Sequence, residues 1–212
     1  MIIIGFFFLL CPSEYTDSSS ESTPFRLADV QLFIGQTRLN ILEAPIQQLQ
    51  QAQFATLEFT DQKNGVRGEI IGLGRSGDPY LCPVLSIIRR VLYLRSHNAH
   101  PHSPLARVMN TPSRVTAASI TKVLRDCVTY LGADLGFLPS DVSARSLRAS
   151  GATALLLGKV DTDIIRLIGR WRSDEMLRYL HIQAAPLMQN YSRIMLNAGQ
   201  YNLLPNHLVP CH

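Results

Sequence analysis

The sequence predicts an α+β fold, mainly α, in which a helical bundle carries a small antiparallel β-sheet. Three observations lead there. The hydrophobic period is about two residues before Cys82 and about 3.6 after it, so strand-like segments come first and helices follow. Between two strand-like runs lies Asn64-Gly65, a dipeptide that readily takes the positive φ angles of a tight hairpin turn. And with 46% hydrophobic and 17% charged residues in 212, the chain has the composition of a globular protein able to bury a core, as one domain or one domain plus a fragment.

The elements follow in order. MIIIGFFFLL is too short to cross a bilayer as a helix, since a span needs about 20 apolar residues. It also lacks the basic start and the small residues before a cleavage point that a secretory signal carries, so a core helix is expected. An exported or membrane-tethered protein is the rival reading of this stretch alone. Thr16 to Pro24, small and polar, reads as a loop. Phe25 to Leu42 alternates loosely, with Val30, Leu32 and Ile34 on one side. In Ala55 to Thr60 the alternation is cleaner, with Ala55, Leu57 and Phe59 facing one way. The hairpin that follows puts Lys63 at or near its tip. Val84, Leu85, Ile88, Val91 and Leu92 form one helical stripe, and Ile120, Val123, Leu124, Cys127, Val128 and Leu131 form another. Asp141 or Ser143 is expected to cap a helix through ARSLRASGATALLLG that stops at Gly158. Short helices are expected near Thr162 to Ile168, Ser173 to Leu180 and Leu187 to Leu196, and residues 198–212 read as a loose tail.

Composition narrows the chemistry. The four cysteines, Cys11, Cys82, Cys127 and Cys211, are widely spaced with no C-x-x-C pair, which suggests neither a disulfide framework nor a zinc site and fits a reducing, intracellular compartment. His97, His100 and His102 crowd one segment, but two prolines and the lack of a nearby carboxylate or cysteine make it a surface loop; no metal is expected. Residues 61–212 carry 18 basic against 10 acidic side chains, and 17 of the 20 basic residues in the chain are arginine. The planar guanidinium grips phosphate with two hydrogen bonds, so a phosphodiester backbone is the natural partner.

Two short segments concentrate that chemistry. Arg145 and Arg148, three apart, share a face in the first turn of a helix, where the helix dipole already favours an anion. Ala149, Ser150, Gly151 and Ala152 behind them are small enough for close approach by a helix or by nucleic acid. In LIGRWRSDEMLRYLH, Arg170, Trp171, Arg172, Arg178 and Tyr179 interleave cations with aromatics, as nucleic-acid contacts do. Positive charge beside Tyr179 also favours its phenolate, an oxygen able to attack phosphorus.

The order Lys63, Arg145-x-x-Arg148, Gly169-Arg170 and then Tyr179 resembles the catalytic domain of the tyrosine recombinases, the phage-type integrases. RSLRASGATALL and GRWRSDEMLRYLH look most like versions carried by eukaryotic mobile elements of the Crypton and DIRS kind. That resemblance runs from about Ile2 to Leu196 and implies a recombinase-like domain over residues 1–197, without its separate N-terminal DNA-clamping domain. It also implies an Arg-x-x-Glu motif at the end of an apolar helix, and FFFLLCPSEYT has that shape with Glu14 in place and Cys11 where the arginine would stand.

What the resemblance implies for function is breakage and rejoining of duplex DNA without a metal or nucleotide cofactor, by a homo-oligomer, in the family a tetramer, working in the nucleus if the host is eukaryotic. Tyr179 would form a 3′-phosphotyrosyl link, Arg148 would stabilise the charge on a non-bridging oxygen, and Lys63 would protonate the leaving 5′-oxygen. Arg145 and Arg170 occupy positions that the family fills with histidine and with histidine or tryptophan. With Arg172 and Arg178 they would contact DNA. The departures at 11, 145 and 170 bear on activity more than on fold, and the loss of a charged donor at Cys11 implies reduced or lost cleavage. A helix-turn-helix formed by Thr162–Gly169 and Ser173–Leu180, with a structural tyrosine, is the alternative.

Overall fold

A computed structural model describes residues 1–17, 24–60, 68–131 and 138–171. Within them the fold is α+β, with seven helices and one four-stranded antiparallel sheet. The helices are α1 (Ile2–Phe7), α2 (Pro12–Tyr15), α3 (Ile46–Gln50), α4 (Pro83–Ser96), α5 (Ala117–Leu131), α6 (Ser146–Leu157) and α7 (Thr162–Gly169). The strands are β1 (Val30–Ile34), β2 (Thr37–Arg38), β3 (Phe54–Phe59) and β4 (Glu69–Gly74), in the spatial order β2-β1-β3-β4. The alternation read from the sequence sets the sheet's buried face: Val30 pairs with Leu57 and Leu32 with Ala55, and all four are buried. The β3–β4 pair is antiparallel from Phe54↔Gly74 to Phe59↔Glu69. Lys63 falls between them, outside the described residues.

Helix α4 packs against β3, β4, α1 and α3, and α1 in turn packs against α6. The opening apolar stretch is therefore core: Ile4, Phe8, Leu9 and Leu10 are at most 1% exposed. Among the described residues no helix is long and apolar enough to cross a membrane. On α4 the buried stripe is Val84, Ile87, Ile88, Val91 and Leu94, rotated slightly from the expected one, because Leu85 and Leu92 sit at its margin. On α5 only Ile120 and Val128 are buried, while Val123 and Leu131 are 47% and 58% exposed.

One expected helix end is corrected and the other holds. Neither Asp141 nor Ser143 caps α6. Asp141 accepts the Leu138 N–H (2.8 Å) to close a 3₁₀ turn over Pro139–Asp141, and the residue at the start of α6 is Arg145, whose side chain makes no capping bond. At the other end α6 stops at Gly158 as expected, with Gly158 the C-cap at φ −72°, and the residue after it, Lys159, turns left-handed, at φ 61°. The N–H groups of Lys159 and Val160 close back onto Leu156 and Leu155, a Schellman stop with a lysine where glycine is usual.

Candidate functional site

The site is assembled from three chain ends: the exit of α1, the first turn of α6 and the exit of α7. Helix α1 ends in its own Schellman motif, with Leu9 left-handed (φ 50°), the Leu9 N–H on Phe6 O and the Leu10 N–H on Gly5 O. The chain then turns into α2, whose first position is Pro12, the residue best tolerated there because it has no N–H to satisfy. Cys11 is the N-cap, and Glu14 reaches back to accept its N–H at 2.7 Å. Tyr15, fully buried, donates its hydroxyl to the carbonyl of Ala144 (2.8 Å) and ties α2 to the approach of α6. Burial first, and the neighbouring Cys11 second, raise the Tyr15 pKa above its usual value.

Helix α6 can lie against α1 because Gly151 has no side chain. A Cβ there would overlap the Phe6 carbonyl and the Leu9 side chain. This approach brings Arg148, in the first turn of α6, to Cys11: its Nη1 donates to the Cys11 sulfur, and its Nη2 donates to the carbonyl of Gly169. Its guanidinium also lies over the Trp171 ring, 4.3 Å from the centroid. Cys11, Arg148 and the Gly169–Trp171 turn thus converge from distant parts of the sequence. Arg145 stands exposed at the start of the same helix.

Arg170 departs from the expectation that it contacts DNA. It holds φ 57° at the end of α7, where the Arg170 and Trp171 N–H groups bond to Leu167 and Arg166 in a third Schellman motif. This turn buries the Arg170 side chain to 3% exposure. There it donates to the carbonyls of Phe8 (3.3 Å), Leu9 (3.2 Å) and Ile168 (2.8 Å), pairs with Glu14 (3.2 Å), and lies 3.9 Å over the Phe59 ring. Burial pushes its pKa down, and the Glu14 carboxylate opposes that shift. The unsatisfied carbonyls at the end of α1 are what draw the guanidinium inward. In that position it is not offered to a phosphate.

The same turn folds Trp171 back over Gly169, where any Cβ would run into the indole ring. Sequence reasoning treated Trp171 only as one aromatic among cations; its stacking on Arg148 depends on this turn. Of the four described tyrosines, Tyr15 is buried, the Tyr93 hydroxyl accepts the Met109 N–H (3.0 Å), and Tyr80 and Tyr130 are exposed. None of the four is bonded to Arg148. Lys63, Arg172, Arg178 and Tyr179 lie outside the described residues, as does the second helix of the helix-turn-helix alternative. Among the described residues no cluster of histidine, cysteine and carboxylate side chains could hold a metal. No protein-family model, curated protein or solved structure matches this chain.

Proposed function

We propose that this chain is a tyrosine-recombinase-like catalytic domain that binds duplex DNA and whose strand cleavage is impaired at Cys11. The observation that carries the reading is the meeting of Cys11, Arg148 and the Gly169–Trp171 turn, separated by 137 and 21 residues along the chain. Three motifs that a recombinase needs around one phosphate are spaced through this sequence, and the described parts of them share one place.

In this reading Arg148 stabilises the charge that builds on a non-bridging oxygen, and Trp171, not Arg170, is the aromatic neighbour that fixes its orientation. Arg170 and Glu14 hold the ends of α1, α2 and α7 together beneath the site. Tyr179 attacks phosphorus, the bond to the 5′-oxygen breaks, and Lys63 supplies the proton that the leaving oxygen takes up. Cys11 offers a sulfur where a second guanidinium would share the oxyanion. Losing one such donor commonly costs about 10²–10³ in rate.

DNA affinity tests the binding half of the proposal. Binding of a labelled duplex is expected to weaken steeply with salt and to depend little on base sequence, with a log–log slope that steepens by about 0.9 for each phosphate contacted. Arg148→Ala should weaken that binding only modestly while removing any residual cleavage. A binding constant unchanged between 50 and 200 mM salt, roughly the range over which phosphate contacts lose most of their affinity, contradicts the reading.

A further inference from the structure

Arg107 and Arg114 face each other across an isolated antiparallel β-bridge, and both are exposed. Residues directly opposed in such a pair carry their side chains on the same side with Cβ atoms about 5 Å apart, and like charges there repel. The bridge is fixed in place nonetheless. Arg90 of α4, stacked 4.6 Å over the Tyr93 ring, donates to the carbonyls of Leu105 and Arg107. The Tyr93 hydroxyl takes the Met109 N–H, and the Asp17 N–H bonds to the Val115 carbonyl at 2.8 Å. Compensation for the two charges is thin: the Asp17 carboxylate is 3.6 Å from Arg107 and only 13% exposed, and the Arg114 side chain makes no ion pair or hydrogen bond among the described residues. With the two arginines held opposite each other by the backbone, an oxyanion that accepts hydrogen bonds from both guanidiniums would offset the repulsion.

We propose that the Arg107–Arg114 bridge is a phosphate clamp that takes a backbone phosphate of duplex DNA beside the Cys11–Arg148 site. Its choice of duplex over free phosphate rests on the function proposed above; the clamp itself rests on the bridge. Asp17, which bonds beside the bridge, follows Cys11 by six residues, which limits their separation to about 20 Å. One helical turn of duplex is about 34 Å, longer than that separation.

The test compares the full chain with Arg107→Gln/Arg114→Gln and with Arg38→Gln/Arg89→Gln, which removes the same charge from two separated sites. Duplex binding is read by fluorescence anisotropy across a salt series. The clamp variant is expected to bind about tenfold more weakly with a slope shallower by about 1–2, and the control to stay near wild type. If wild type binds duplex and the clamp variant matches it, or the control loses as much, the clamp is overturned and the proposed function stands. If wild type shows no salt-dependent duplex binding, the proposed function fails, and thermal shift with inorganic phosphate and with ATP decides the clamp. A rise in melting temperature in wild type but not in Arg107→Gln/Arg114→Gln assigns it to free phosphate groups, whereas equal or absent shifts overturn it.

Discussion

Arg170 adopts a left-handed backbone that costs a non-glycine residue about 1–2 kcal/mol, and its side chain shows what offsets that cost. Buried with its charge, it needs Glu14, and Glu14 also holds the Cys11 N–H. Removing one partner of a buried pair strands the other. Glu14→Ala is therefore expected to destabilise the fold by about 3–5 kcal/mol in denaturant unfolding, and Glu14→Gln by less, because an amide oxygen can still accept from both donors. Tyr15 gives a pH signature. Its folded-state pKa lies above the ordinary value near 10, so its contribution to stability is whole below about pH 10 and is lost as pH rises through the raised value. Tyr15→Phe should cost about 1–2 kcal/mol at neutral pH and flatten the fall in stability on the alkaline side. Glu14 was legible in the sequence only through the Arg-x-x-Glu pattern that the resemblance implies; its bond to the Cys11 N–H came from the structure. The inward turn of Arg170 was not legible, because glycine usually marks a Schellman stop and here an arginine takes its place.

At the scale of elements, the site depends on how closely α1 and α6 approach. Gly151→Ala places a methyl against the Phe6 carbonyl and the Leu9 side chain, both at the exit of α1 that delivers Cys11. Overpacking of this kind costs about 1–3 kcal/mol, and thermal unfolding should show it as a lower melting temperature. Strand β3 and helix α4 were legible because each buries a face whose period is written in its residues, and α6 was legible from its stop at Gly158. The apolar stripe of α5 marks which residues a neighbour could cover, but burial needs the neighbour itself, and Val123 and Leu131 remain open to solvent. Helix ends were the least legible. The left-handed residues Leu9, Lys159 and Arg170 are not glycines; Leu9 and Arg170 are joined by a tertiary hydrogen bond, whereas Lys159 has the local bonds of its Schellman turn.

At the scale of the molecule, the Cys11 sulfur and the Arg148 guanidinium meet across 137 residues of chain, and the proposed function rests on that meeting. The most direct test of this account is covalent capture of DNA on a nicked suicide duplex, read on a denaturing gel with the natural protein, Cys11→Arg and Cys11→Arg/Tyr179→Phe side by side. The natural protein should form little or no adduct. Cys11→Arg should raise adduct formation by about two orders of magnitude, the worth of one preorganised charged donor. The added Tyr179→Phe should abolish the adduct and leave duplex binding intact, since it deletes only the attacking oxygen. A natural protein as reactive as Cys11→Arg would show that position 11 is not a lost catalytic arginine, and duplex binding with no adduct from any of the three would leave a DNA-binding module in place of a recombinase.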